Sequence, residues 1–205
     1  NYFVENFETK RGNILDRNNT SLTANLLTSH ISVNPKAVYD KKKFINKVSA
    51  INNKFSATDL DKLVSEKKFF WLDRNVEPLE LQKYIDLGET GIEFRDAYKR
   101  KYLHSELFSH LVGKVDIDNT GVSGLEKSFD KFLQNEKNND LILSLDTRIQ
   151  HIVRDEILAA MELYRAKGGS GLIMNVNNGE ILAMTSLPDF DPNTSSSGQH
   201  DSPLV

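Results

Sequence analysis

Cysteine is absent from the 205 residues, which excludes disulfides, thiolate metal sites and a cysteine nucleophile. No apolar run approaches the roughly 18 residues of a membrane-crossing helix, and no signal peptide is visible. Positive charge is not in excess. Lys and Arg number 26 against 29 Asp and Glu, a net charge of -3, so the basic face that nucleic acid would require is not indicated. The histidines, His30, His104, His110, His151 and His200, show no H-x-x-x-H or H-E-x-x-H spacing, which argues against a zinc site. P-loops, dinucleotide fingerprints and internal repeats are also missing. What remains is a chain 39% apolar and 27% charged, ordinary for a folded protein of one large or two small domains. Asn1 is not an initiator Met, so we expect a piece cut from a longer protein.

Hydrophobic periodicity alternates between strand and helix along the chain. Residues 10–34 carry β-formers around Ile14 and Ser29–Val33, with a turn expected at Asn18-Asn19. Residues 40–88 predict short helices, one capped by Ser56, another opened by Pro78 and closed near Gly88. Phe69-Phe70-Trp71-Leu72 between them predicts a buried strand. Its aromatics could stack bases or sugars, but no basic residues are expected to interleave with them on one face, which favours core packing. Residues 91–103 should be extended, and Ser105–Val112 a short helix stopped by Gly113.

The pairs Ser123/Glu126 and Thr147/Gln150 match the capping-box pattern. The first should open a helix burying Leu125, Phe129, Phe132 and Leu133. The second should open one whose stripe is Ile149, Ile152, Val153, Ile157, Ala160, Met161 and Tyr164, ended by Gly168-Gly169. Leu172–Val176 and Glu180–Ser186 predict a hairpin about Asn178-Gly179. Thr194 onward has the composition of a linker or tail.

A serine acyltransferase needs an activated serine, a base and an oxyanion hole. Ser65-Glu66-Lys67-Lys68 and Ser128-Phe129-Asp130-Lys131 both fit S-x-x-K, yet no K-[ST]-G string follows either. Asp130 would favour a protonated Lys131 over a neutral base. Asp189 and Asp191, separated by Phe190, suggest a turn before Pro192 rather than a metal loop. We therefore assign no catalytic, cofactor-binding or metal residues. Arg11, Asp16, Arg17, Arg100 and Glu126 lie among apolar neighbours and would have to be paired if buried. They form either a bidentate arginine–carboxylate network or a set of independent surface charges.

Seven strings occur in one order: Arg11-Gly12-Asn13-Ile14-Leu15-Asp16-Arg17-Asn18, Phe70-Trp71-Leu72-Asp73-Arg74, Arg100-Lys101-Tyr102, Gly121-Val122-Ser123-Gly124-Leu125-Glu126, Leu145–Gln150, Gly179–Met184 and Leu187-Pro188-Asp189-Phe190-Asp191-Pro192-Asn193. Together they resemble the front half of a class B penicillin-binding protein, and Gly121–Leu133 is most similar to the division-specific, septal branch. The elongation-specific branch is the nearest rival. Three departures stand out. Leu103 replaces the usual proline after Tyr102, Asn19 replaces a glycine, and the chain ends before the family's S-x-x-K. A Ser-rich junction at Ser195-Ser196-Ser197-Gly198 suggests an engineered or unnatural end, with a native truncation as the alternative.

The resemblance implies an α+β fold. An elongated pedestal, or dimerisation, domain at 1–139 would precede a truncated transpeptidase-domain start at 140–193, made of a helix and a β-hairpin, with a linker or tail at 194–205. Its structural motif residues would be Arg11, Gly12, Asp16, Arg17, Arg100, Gly121, Gly124 and Glu126. The parent would crosslink peptidoglycan stem peptides and bind β-lactams in the bacterial periplasm, held to the inner membrane by an upstream helix. Its partners would be a membrane glycosyltransferase and divisome proteins, met through residues 40–66 and 91–103. The chain itself should be catalytically inactive and need no cofactor. A stand-alone interaction module and a degenerate inactive family member are the rival readings.

Overall fold

The structure, a computed structural model, describes residues 10–66, 68–135 and 139–194. The tail expected from 194 therefore lies, beyond Thr194, outside the described residues. In chain order the elements are β1 (Ile14–Leu15), β2 (Thr23–Val33), α1 (Lys41–Ile51), α2 (Ala57–Ser65), β3 (Phe70–Val76), α3 (Pro78–Ile85) and β4 (Ile92–Tyr102). There follow α4 (Ser109–Val112), α5 (Gly124–Ser128), α6 (Asp130–Leu133), β5 (Leu141–Ile142), α7 (Thr147–Tyr164), β6 (Gly169–Met174) and β7 (Ile181–Leu187). Helix and strand mix without the βαβ repeat of a parallel sheet, which defines an α+β chain. It divides into two compact units, 27–99 and, among the described residues, 10–26 with 100–194.

In the first unit, β3-β2-β4 form a sheet, with β2 antiparallel to β3. Helix starts follow local chemistry. Asp40 caps α1 by accepting from Lys43 N at 3.0 Å, Ser56 and Asp59 form a reciprocal capping box on α2, and Pro78 occupies the first turn of α3. Ile31, Val33, Phe44, Val48, Leu60 and Leu72 make the core. Buried Asn52 donates to Leu72 O at 3.2 Å and Tyr84 Oη at 3.0 Å. Burial, then the neighbouring Asp73 charge, pushes the Tyr84 phenol up to about 12.

The Phe69–Leu72 run is not uniformly buried. Phe69 precedes the strand and is 49% exposed, whereas Phe70 and Leu72 reach the core. Strand alternation sends neighbours to opposite faces. Nor are the aromatics free of cations in space. The Arg95 guanidinium lies 5.7 Å from the Phe69 ring and 5.8 Å from Trp71, and Arg74 lies 5.3 Å from Trp71.

In the second unit, β1 pairs in parallel with β5, Ile14 opposite Leu141. Ile14, Leu22, Tyr102, Phe108, Leu133 and Leu145 form its core. The Ser105–Val112 segment is a 3-10 turn at Ser105–Phe108 leading into α4. The helix expected after Ser123 is broken into α5 and α6 at Phe129, and Phe129 and Phe132 are 40% and 42% exposed while Leu133 is fully buried. Helix α7 ends at Tyr164 with Arg165 in the left-handed conformation, four residues before the expected glycine stop. Of its predicted stripe, Val153 alone is buried; Ile152 and Tyr164 are exposed. The β6–β7 turn is longer than two residues, closed by Asn175 N donating to Glu180 O at 2.9 Å, with Gly179 at φ 77°.

Candidate functional site

Three segments far apart in sequence meet around one carboxylate. Glu126 of α5 has no exposed surface, Arg11 is 1% exposed and Arg100, on β4, is 5% exposed. Arg11 Nε donates to Glu126 Oε2 at 2.6 Å, and Arg100 Nε donates to Glu126 Oε1 at 2.8 Å. Arg11 is the more fully engaged cation. Its Nη2 reaches Glu126 O at 2.7 Å and its Nη1 reaches Asp130 Oδ1 at 2.7 Å and Asn119 O at 3.2 Å. Among the described residues Arg100 has one further contact, Nη1 to Asn25 Oδ1 at 3.4 Å, and its buried Nη2 meets no hydrogen-bond partner.

Two arginines therefore face two carboxylates, which balances the charge where water cannot. Burial pulls Arg100 down from its ordinary value, against the opposing pull of Glu126. Burial and then Glu126 push the Tyr102 phenol up, and its hydroxyl accepts from Val115 N at 2.9 Å.

Backbone must come close for this knot to form. A Cβ on Gly12 would stand 2.0 Å from Asn139 O, and one on Gly121 would stand 2.1 Å from Glu126 O. Gly124 adopts φ +59°, a conformation costly for a residue with Cβ. The motif glycines thus permit close approach of backbone to backbone around the knot.

Asp16 and Arg17 stand apart from the knot. Asp16 is buried and accepts from Asn18 N and Thr20 N, each at 2.8 Å, and from Thr147 Oγ1 at 2.8 Å and Thr147 N at 3.1 Å. Burial opposes its ionisation, but these hydrogen bonds outweigh it and hold the carboxyl down at about 2. Asn19 takes φ 62° in the turn that Asp16 organises. Arg17 makes a half-exposed pair with Glu180 at 3.3 Å.

Both expected capping boxes are absent, for the same reason. Glu126 is taken by the arginines, and Ser123 Oγ accepts from Lys114 N at 3.1 Å instead of capping α5. Asp146, not Thr147, caps α7, accepting from Arg148 N at 3.0 Å. Its bonds from Arg148 hold its carboxyl well below the usual range. Gln150 instead ties α7 inward, donating to Leu107 O at 3.0 Å and Met184 O at 2.8 Å while accepting from Met184 N at 2.8 Å. Sequence reasoning missed Asp130, Asn25 and Gln150 as members of these clusters. Asp130 was visible only as a neighbour of Lys131.

The two S-x-x-K serines are placed as surface residues. Ser65 Oγ donates to Asp61 O at 2.6 Å and contacts Lys41 Nζ, which Asp61 Oδ1 pairs at 2.8 Å. Ser128 Oγ donates to Gly124 O at 3.1 Å at the end of α5. Asp189 pairs with Arg154, Nε to Oδ2 at 2.6 Å, and among the described residues no cluster of His, Asp or Glu has metal-holding geometry.

Fold and site together define an α+β chain whose segments are knotted by buried ion pairs. Its particular family follows from sequence: the penicillin-binding protein dimerisation domain pattern matches residues 7–144, more than half of the chain, and the chain belongs to that family. It is 30% identical over 205 residues to the probable peptidoglycan D,D-transpeptidase FtsI of Caulobacter vibrioides, covering 98% of this chain and 35% of that protein. It is 30% identical over 223 residues to the peptidoglycan D,D-transpeptidase FtsI of Escherichia coli K12, covering 93% and 38%.

The chain thus spans between 35% and 40% of the length of such relatives. Among solved structures, the penicillin-binding protein PBP2 of Helicobacter pylori in complex with MreC is similar, with a TM-score of 0.66 and 25% identity over 91% of this chain and 43% of that one. A peptidoglycan synthetase from Bifidobacterium adolescentis shares the fold, with a TM-score of 0.60 at 19% identity over 92% of this chain and 44% of that one.

Proposed function

We propose that the chain is the non-catalytic pedestal of a division-specific peptidoglycan D,D-transpeptidase, at about 1–139, with the beginning of its transpeptidase domain at about 140–193. The observation that carries this is the buried Arg11–Glu126–Arg100 knot. It joins the R-G-x-I-x-D-R, R-x-Y and G-x-x-G-x-E strings, the motifs that mark the family, into one rigid body. Such a body has no chemistry of its own and a clear mechanical use: it holds a catalytic head at a fixed height and orientation. The head, outside this chain, would crosslink stem peptides by serine acyl transfer and be the target of β-lactams.

The site of action is the bacterial periplasm, with a membrane helix preceding the pedestal. Among the described residues no helix is long and apolar enough to cross a membrane. Protein partners fit the same reading. The similar PBP2 of H. pylori is a complex with MreC, and for this chain we propose a membrane glycosyltransferase and other division proteins as partners. The contacts would fall on α1, α2 and the exposed part of β4, where Phe94 is 41% exposed.

The test is co-purification of the chain, fused to its membrane helix, with the cognate glycosyltransferase. Recovery should fall in a variant lacking residues 40–103, and in the gentler pair Phe94→Asp with Arg95→Glu. Equal recovery from all three would place the interaction elsewhere and sink the partner assignment.

A further inference from the structure

The loop after β7 ends in a feature that the pedestal reading does not use. Residues 188–194 run without strand pairing, yet side chains fasten them at each step. His110 Nε2 lies 2.8 Å from Pro188 O. Arg154 Nε and Nη2 reach Asp189 Oδ2 and Oδ1 at 2.6 and 3.3 Å. The Phe190 ring meets His110 edge-on at 5.3 Å.

The last fastening is of a different kind. Tyr102 N donates to Asn193 Oδ1 at 2.9 Å, and Asn193 Nδ2 donates to Tyr102 O at 2.9 Å. One side-chain amide thereby reproduces the two-bond exchange that a neighbouring antiparallel strand would make, at the last residue of β4. Asp191 Oδ1 accepts from Asn193 N at 2.9 Å and from Nδ2 at 2.8 Å. That contact fixes which way the amide faces, since a flipped amide would set oxygen against oxygen at both Asp191 and Tyr102.

Residue type matters here. Aspartate would oppose Tyr102 O with a second acceptor, alanine would supply neither group, and glutamine would overreach by one methylene. Tyr102 is in turn two residues from Arg100, hence on the same strand face. Its hydroxyl is fixed by Val115 N. The end of β4 is therefore gripped by the Glu126 knot through Arg100 and by the D-P-N loop through Tyr102.

We infer that Asn193 is a positioning residue: it clamps the D-P-N loop to β4, so that the Arg11–Glu126–Arg100 knot and this loop move as one body. In the whole transpeptidase, which rests on the function proposed above, the loop stands ahead of the catalytic serine. The clamp would then set where the serine stands relative to the pedestal.

Two measurements test this. In the 205-residue chain, Asn193→Ala should raise amide exchange at Tyr102 at least tenfold and shift the Arg100 Nε–H resonance, while exchange at Ile31 and Val33 in the other unit stays unchanged. An unchanged Tyr102 amide, or an unmoved Arg100 resonance, overturns the clamp. In the full-length gene product, Asn193→Ala and Asn193→Asp should slow acylation by a fluorescent penicillin about tenfold or more. Far-ultraviolet dichroism and the melting temperature should stay near wild type. Wild-type acylation rates in both variants overturn the positioning role. If the wild-type full-length protein takes no penicillin at all, the proposed function has failed, and the Tyr102 exchange still decides the clamp by itself.

Discussion

Replacing Glu126 with glutamine would remove one charge while keeping the side chain's volume, so any loss is electrostatic rather than a cavity effect. Glu126 accepts Arg11 Nε at 2.6 Å and Arg100 Nε at 2.8 Å with no exposed surface. Hydrogen bonds to a charged group contribute about 1.5–3 kcal/mol each. In the variant one arginine can keep an oxygen acceptor, while the other faces an amide donor. Two buried guanidinium groups would be left with Asp130 as the remaining carboxylate. Breaking a buried ion pair from one side costs about 3–5 kcal/mol, and we expect about 4 kcal/mol here, a large part of a typical domain's stability.

Urea denaturation followed by circular dichroism reads this as a fall in midpoint with unchanged slope. A double-mutant cycle of Glu126→Gln with Arg11→Met should show coupling of about 1 kcal/mol or more. Arg11→Met alone should cost more than Arg100→Met, because Arg11 makes four hydrogen bonds against two for Arg100. A Glu126→Gln loss below about 1 kcal/mol, or strictly additive single effects, would refute the idea that the knot organises this unit.

Two further perturbations address the neighbouring motif residues. Asp16 is held at about 2 against an ordinary 3.8. A lowered carboxyl contributes stability that is fully present above pH 3.8 and is lost as pH falls through about 2, here on the order of 2 kcal/mol. Asp16→Asn should therefore be less stable than wild type at neutral pH and should lack that component of the acid transition; parallel wild-type and variant curves between pH 4 and 2 would contradict this. Gly12→Ala places a Cβ 2.0 Å from Asn139 O, so the backbone must shift, at roughly 1–3 kcal/mol of overpacking. Thermal melting with amide shifts at Asn139 would show it, and an unchanged spectrum would mean that the close approach is not maintained in solution.

How much of this was legible in sequence depends on how local the signal is. Ser56 with Asp59, Pro78 at the start of α3 and the left-handed Asn19 are set by contacts within a few residues, and their patterns stand in the sequence. The same patterns at Ser123/Glu126 and Thr147/Gln150 misled, because partners distant in sequence claimed the side chains. Glu126 was bound by Arg11 across 115 positions, and Thr147 by Asp16 across 131. No periodicity encodes such pairings.

The knot's own members could be named as a group only through the family resemblance; their residue types left a surface-charge alternative open. Asn193 stood in the sequence only as the last residue of a motif string, because its strand-like bonds to Tyr102 span 91 positions. Helix α7 shows the converse. Its apolar stripe is plain in sequence, but Ile152 and Tyr164 are exposed, so periodicity alone identified the helix without identifying what each position would touch.

The central claim is that this chain scaffolds a reaction performed elsewhere in a longer protein. Fluorescent penicillin labelling, run side by side on the 205-residue chain and on the full gene product that contains it, tests that most directly. The account predicts no covalent label on the chain and one label per molecule on the full product, mapping by peptide mass to a serine beyond Val205. Stoichiometric labelling of the chain that survives denaturation, and disappears with Ser65→Ala or Ser128→Ala, would contradict it.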